Sequence, residues 1–268
     1  MLNALRIETG GEPAPAAAPS DPRELAAELA PRAQLYRLLS AAFVEEASEQ
    51  FLEAIRAPES LAALAEAGLS FDDDFLAAET PVLVERLACE YTTMFAASGG
   101  FPPVESVRLT GRYQQEPYFT AKQEYARNGF IVTKGRFAVF EDSLGVELLF
   151  AAELLERAAA ALAREDVAGY RRLERELKRF WTLHLGRWVR GYARLVQRGT
   201  EHSFYREMAR LLESFAEAEV ALMRLRVEDA DKGRLVMPKQ EPRVGFNPDE
   251  PVCNACTAGA DPLADLRS

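Results

Sequence analysis

Apolar positions recur at helical spacing over most of this chain. Leu35, Leu38, Leu39, Ala42 and Phe43 fall three, one, three and one residues apart, a stripe along one side of a helix. The same spacing returns at Leu148, Leu149, Ala152, Leu155, Ala159 and Leu162. It continues through Leu173, Leu177, Phe180, Trp181, His184, Trp188, Tyr192 and Leu195, and again through Phe204, Met208, Leu211, Phe215, Ala218, Leu222 and Leu225. Three long amphipathic helices are therefore predicted over residues 146–162, 173–195 and 204–225. Gly199 and Thr200 make the only obvious turn between the last two, which predicts antiparallel neighbours in a bundle.

The stretches between these helices are punctuated by proline and glycine. A helix is expected over 48–56. Another opens at Pro81, with Leu83, Leu87 and Tyr91 on one face, and a short one spans 120–128 and stops at Gly129. Residues 97–112 carry Gly99, Gly100, Pro102, Pro103 and Gly111 among Phe101, Val104 and Val107, the signature of a structured loop. The stretch 130–140 is apolar enough to suggest a strand, but Lys134 and Gly135 interrupt it. Residues 1–20 lack apolar periodicity and read as a disordered leader, ending where Ser20, Asp21 and Pro22 offer a helix start. After Arg226 the periodicity stops and prolines and glycines accumulate. The expected architecture is all-α: one helical bundle over 21–226, a leader over 1–20 and an extended Pro/Gly-rich tail over 227–268.

Composition narrows the function. Of 268 residues 48% are hydrophobic, enough for a substantial core, and 32 basic against 42 acidic residues give a net charge of −10. That charge repels phosphate backbones and anionic lipid surfaces, so a nucleic-acid partner is not expected. Charges break every apolar run before the roughly 18 to 20 residues a membrane helix needs, and the first 20 residues lack a greasy core for export. No membrane insertion and a cytoplasmic location are the expectation. Three cysteines do not make a disulfide framework for a chain of this size.

Catalytic signatures are missing. There is no Walker loop, no Gly-x-Ser-x-Gly and no His-Glu-x-x-His, and only two histidines, His184 and His202, are present. A role outside catalysis is expected. His184 lies on the aromatic stripe of its helix, where a hydrogen-bonded core residue is the simpler reading. Asp72, Asp73 and Asp74 lack the ligand spacing of a calcium loop and read as a solvated helix start. Cys253 and Cys256 form a Cys-x-x-Cys, able to offer two thiolates to zinc or an iron–sulfur cluster or to cycle as a dithiol. Apart from that pair no cofactor is expected. A small redox or metal-handling protein working through Cys253 and Cys256 is the alternative function. Near residue 142, Asp142 or Ser143 can accept hydrogen bonds from free amides at a helix start, and Glu147 lies near the positive end of that helix dipole.

Several segments in order carry a resemblance. They are Glu90-Tyr91-Thr92-x-x-Phe95, then Pro102-Pro103-Val104-Glu105-Ser106, then Glu141-Asp142-Ser143-Leu144-Gly145-Val146-Glu147-Leu148, then His184-Leu185-Gly186-Arg187-Trp188 and Phe204-Tyr205. Together they resemble the TorD, DmsD and NarJ family of redox-enzyme maturation chaperones, across about residues 35–225. This chain has Asp142-Ser143 where the family has an Asp-His pair, and Val104 where an aromatic is usual.

The resemblance implies a TorD-like all-helical chaperone. It would bind the twin-arginine leader or N-terminal region of a molybdenum or tungsten oxidoreductase and assist cofactor insertion before export, as a monomer or homodimer. It maps the peptide-binding surface to Glu105, Ser106, Gln115, Glu141, Asp142, Ser143 and Glu147. A leader with two arginines and an apolar stretch needs an apolar groove rimmed by carboxylates, a rim for which Glu105, Glu141 and Asp142 are the candidates.

Overall fold

In the computed structural model residues 22–96, 100–133 and 140–236 are described, and among them are eleven α-helices and no strand. In chain order these are α1 (Pro22–Val44), α2 (Glu49–Arg56), α3 (Pro58–Glu66), α4 (Asp73–Leu76), α5 (Thr80–Tyr91), α6 (Glu105–Thr110), α7 (Glu116–Arg127), α8 (Leu144–Ala163), α9 (Val167–Leu183), α10 (Val189–Gly199) and α11 (Ser203–Leu222). The leader and both tail cysteines lie outside the described residues, as does most of the stretch read as a possible strand. The parts of that stretch that are described, 130–133 and 140, are irregular.

The apolar stripes meet as their spacing requires. α1 lies along α8, α8 packs on α9, and α10 on α11. Tyr36, Leu39 and Phe43 are buried beside Leu148, Ala151 and Leu155, and Trp181, Trp188, Tyr192 and Tyr205 fill the centre. The end of α1 touches the start of α8 closely because position 145 is glycine. A Cβ there would sit 2.4 Å from Val44 Cβ and 2.6 Å from Val44 Cα. Backbone cannot yield as a flexible side chain can, so Gly145→Ala is expected to cost about 1 to 3 kcal/mol, measurable as a lowered urea midpoint at unchanged slope.

A polar knot ties three helices together. Glu219 of α11 accepts hydrogen bonds from Arg32 Nε at 2.6 Å and from the Tyr36 hydroxyl, and that hydroxyl accepts from Trp181 Nε1 at 2.6 Å. Asp74 is likewise employed. It accepts hydrogen bonds from the amide and hydroxyl of Ser203, so it anchors the start of α11 and is not merely solvated.

Three predicted boundaries shift. The loop over 97–112 contains α6. The helix expected at Thr120 begins four residues earlier, with proline in its first turn. The helix expected to run through 173–195 is broken: α9 stops at Leu183, His184 leaves helical geometry at φ −125 and ψ −98, and a 3₁₀ turn (Leu185–Arg187) leads into α10. Gly186 makes that turn fit, since a Cβ there would lie 2.6 Å from the Trp181 carbonyl oxygen.

Beyond α11 the chain doubles back over α10. Arg187 accepts at its carbonyl from the Ala230 amide, Arg190 donates to the Val227 carbonyl at 2.9 Å, Arg194 to Asp229 at 2.6 Å and Arg198 to the Gly233 carbonyl at 2.7 Å. At the centre, Arg108 Nε of α6 meets Asp231 Oδ2 at 2.6 Å and Nη2 meets Oδ1 at 3.1 Å, with both side chains wholly buried. The bundle therefore grips the first residues after Arg226.

Candidate functional site

The Pro102-Pro103-Val104 loop meets the start of α8 through one antiparallel bridge, Val104 to Ser143. The Glu105 amide donates to the Asp142 carbonyl at 2.8 Å, and the Leu144 amide to the Pro103 carbonyl at 2.8 Å. The prolines suit this role: they lack amide donors, and their carbonyls still accept. On one side of this bridge is a chamber of acids, on the other a groove.

In the chamber Glu105 opens α6, Glu147 stands in the first turn of α8 and His184 occupies the break after α9. All three are buried, as is Asp142. His184 Nδ1 lies 2.7 Å from Glu105 Oε2. Glu147 Oε2 accepts from Trp188 Nε1 at 3.2 Å, and Asp142 Oδ2 accepts from the Ser106 amide at 2.8 Å. Asp142 thus caps α6, not the helix that follows it, and Ser143 makes no capping bond to α8. Burial, then the charges of Glu105 and Asp142, push the Glu147 carboxyl well above the usual range. Burial also raises Asp142, partly offset by its hydrogen bonds from Ser106.

The groove, about 440 Å³, has an apolar floor of Phe43, Tyr91, Phe95, Pro102, Pro103 and Val104, with Glu45, Glu46, Tyr113, Phe140 and Ser143 also on its wall. The floor is set by the end of α1, the loop, and a π-helical turn (Thr92–Ala96) that continues α5. Its lip is negative. Burial and then the charges of Glu45 and Glu46 push the Tyr91 phenol up to about 12.

A family profile described as the nitrate reductase delta subunit matches residues 44–194, more than half of the chain. The chain belongs to this family. The nitrate reductase delta family is the NarJ/TorD-type family of redox-enzyme maturation chaperones that the ordered motifs resemble, a family of chaperones and not of catalytic enzymes. The matched span holds the loop, the whole acid chamber and all of the groove except Phe43, and it ends well before Cys253 and Cys256. A solved structure from Archaeoglobus fulgidus, provisionally described as a redox enzyme maturation protein, is 21% identical, covers 69% of this chain and 93% of its own, and has a TM-score of 0.43. No curated protein matches the chain. Among the described residues of this delta-family protein, no helix is long and apolar enough to cross a membrane.

The structure brings Glu105, Ser106, Asp142, Ser143 and Glu147 together. Glu105 and Asp142 do not form a solvent-facing rim, because both are 0% exposed. Glu141 is half-buried, with its carboxylate 3.5 Å from Lys122 and its carbonyl accepting from Tyr125. Gln115 sits nearby, its amide donating to the Ser106 hydroxyl at 3.1 Å. Glu45 and Glu46 were not singled out by sequence reasoning, since two acids after a helix look like solvated charge. His184 was read as a hydrogen-bonded core residue. It is one, and its partner is Glu105.

Proposed function

We propose that this delta-family chaperone acts in the cytoplasm and holds the leader or N-terminal segment of a molybdopterin-type oxidoreductase in the groove beside the Pro102-Pro103 loop. The carrying observation is the pairing of an apolar, aromatic floor with the Glu45 and Glu46 lip. Apolar leader residues bury against Phe43, Phe95 and the prolines, while arginines find carboxylates at the edge, where charge-assisted bonds supply orientation. Ser143 lines the groove itself, while Glu105, Ser106, Asp142 and Glu147 serve the peptide indirectly by fixing the wall, with Glu141 and Gln115 flanking them. The client leaves with its cofactor in place.

The test is co-purification from the native host with the parent protein and with a Glu45→Lys/Glu46→Lys variant, followed by identification of bound protein. Calorimetric titration with the synthetic N-terminal segment of the recovered enzyme then measures affinity. An oxidoreductase is expected with the parent, and binding at least about tenfold weaker with the variant, equivalent to about 1.4 kcal/mol. Recovery of no oxidoreductase, or equal affinity for both proteins, overturns the proposal.

A further inference from the structure

The acid chamber is expensive by any electrostatic reckoning. Three carboxylates, Glu105, Asp142 and Glu147, are wholly buried. Among the described residues none of them forms an ion pair with lysine or arginine, and His184 is the one basic side chain in contact. Each group has one atom fixed and one idle: Glu105 Oε1, Asp142 Oδ1, Glu147 Oε1 and His184 Nε2 have no hydrogen-bond partner, nor does the Ser143 hydroxyl. Idle buried acceptors are costly; a proton on Glu147 shared with Glu105 satisfies part of the set, and the Asp142, His184 and Ser143 atoms left over leave room for a further electropositive occupant.

The geometry points to a divalent transition-metal site, best suited to Zn²⁺, formed by Glu105, Glu147 and His184. One ligand atom from each of the three residues lies within 4.8 Å of the others. Tetrahedral zinc, with ligands at about 2.0 to 2.2 Å, places neighbouring ligand atoms roughly 3.3 Å apart. Ligand atoms within 4.8 Å of one another have to close by at most about 1.5 Å to reach that spacing, and Glu105 Oε1, Glu147 Oε1 and His184 Nε2 have no hydrogen bond to give up in doing so. Two carboxylates and an imidazole suit Zn²⁺, whereas magnesium and calcium would demand more oxygens. Trp188 holds the second oxygen of Glu147, an outer contact that orients the ligand. Such an ion would cross-link α6, α8 and the break after α9, segments far apart in sequence, directly behind the groove floor. This site is independent of what the groove binds.

The full chain carrying Cys253→Ser and Cys256→Ser, which removes the tail thiolates as competing ligands, is stripped with a chelator and titrated with Co²⁺ by visible absorption and with Zn²⁺ by calorimetry at neutral pH. One equivalent is expected to bind with the d–d bands of an oxygen- and nitrogen-ligated tetrahedral ion. Glu147→Gln in the same background is expected to weaken binding at least about tenfold with an unchanged far-ultraviolet spectrum. Should that variant fail to fold, His202→Gln leaves His184 as the single histidine. Its ring ¹⁵N resonances then report directly and are expected to shift on one equivalent of Zn²⁺. Absence of a cobalt spectrum, equal affinity in folded Glu147→Gln, or unmoved His184 resonances would overturn the site and leave protons alone as the chamber's occupants.

Discussion

Asp231→Ala is expected to destabilise the bundle by about 3 to 5 kcal/mol, because it leaves the Arg108 guanidinium buried without its counter-charge. Arg108 cannot swing to water. It is enclosed, donates also to the Arg234 carbonyl, and lies over the Tyr192 ring at 5.4 Å from its centroid. For a domain of this size the loss corresponds to a fall in melting temperature of about 10 °C. Replacing both partners with leucine removes the orphaned charge and is expected to recover most of the stability, so chemical denaturation of both singles and the double closes a mutant cycle. A single-mutant loss below about 1 kcal/mol would mean that water reaches Arg108. The same penalty awaits any truncation after Arg226, which removes Asp231 with the tail. Cutting after Val236 is the way to ask what Cys253 and Cys256 do without dismantling the bundle.

Glu219→Ala should cost about 3 kcal/mol for a related reason. It strips the acceptor from Arg32 and from the Tyr36 hydroxyl, leaving that buried hydroxyl able only to accept from Trp181. Burial first, and then the Glu219 charge, holds the Tyr36 phenol far above its ordinary range, so the proton stays on the tyrosine and remains available to donate. Glu219→Gln keeps one carbonyl acceptor and is expected to lose less. Adding Tyr36→Phe to Glu219→Ala should then cost less than Tyr36→Phe alone, because the hydroxyl has already lost its main partner. Additive losses in urea denaturation would show that the two side chains act separately.

The long helices were legible because burial along one face leaves a period in the sequence, and α1, α8 and α11 lie close to where their stripes fall. The break at His184 was not. Trp181, His184 and Trp188 keep helical steps through a segment that is not helical, since aromatic side chains pointing into one core do not require a continuous helix between them. The chamber was hidden for a different reason. A glutamate in the first turn of a helix reads as a solvated charge complementing the dipole, and nothing in Glu105 or Glu147 announces that both are enclosed. Arg190, Arg194 and Arg198 hold the returning chain, a role that basic residues spaced along a helix do not announce. What exposed the site from sequence was the ordered set of short motifs. It pointed to this region of the chain, and it placed on a rim Glu105 and Asp142, which are both enclosed.

That wall is one residue pair thick. Because Val104 and Ser143 are joined through main-chain atoms, exposed side chains on the groove side can change while the acids behind the bridge keep their positions. On the function proposed above, a chaperone built this way is retuned toward a different passenger at the partly exposed aromatics of the groove, Tyr91, Tyr113 and Phe140, since Phe43 and Phe95 belong to the core and cannot be exchanged without cost to the fold.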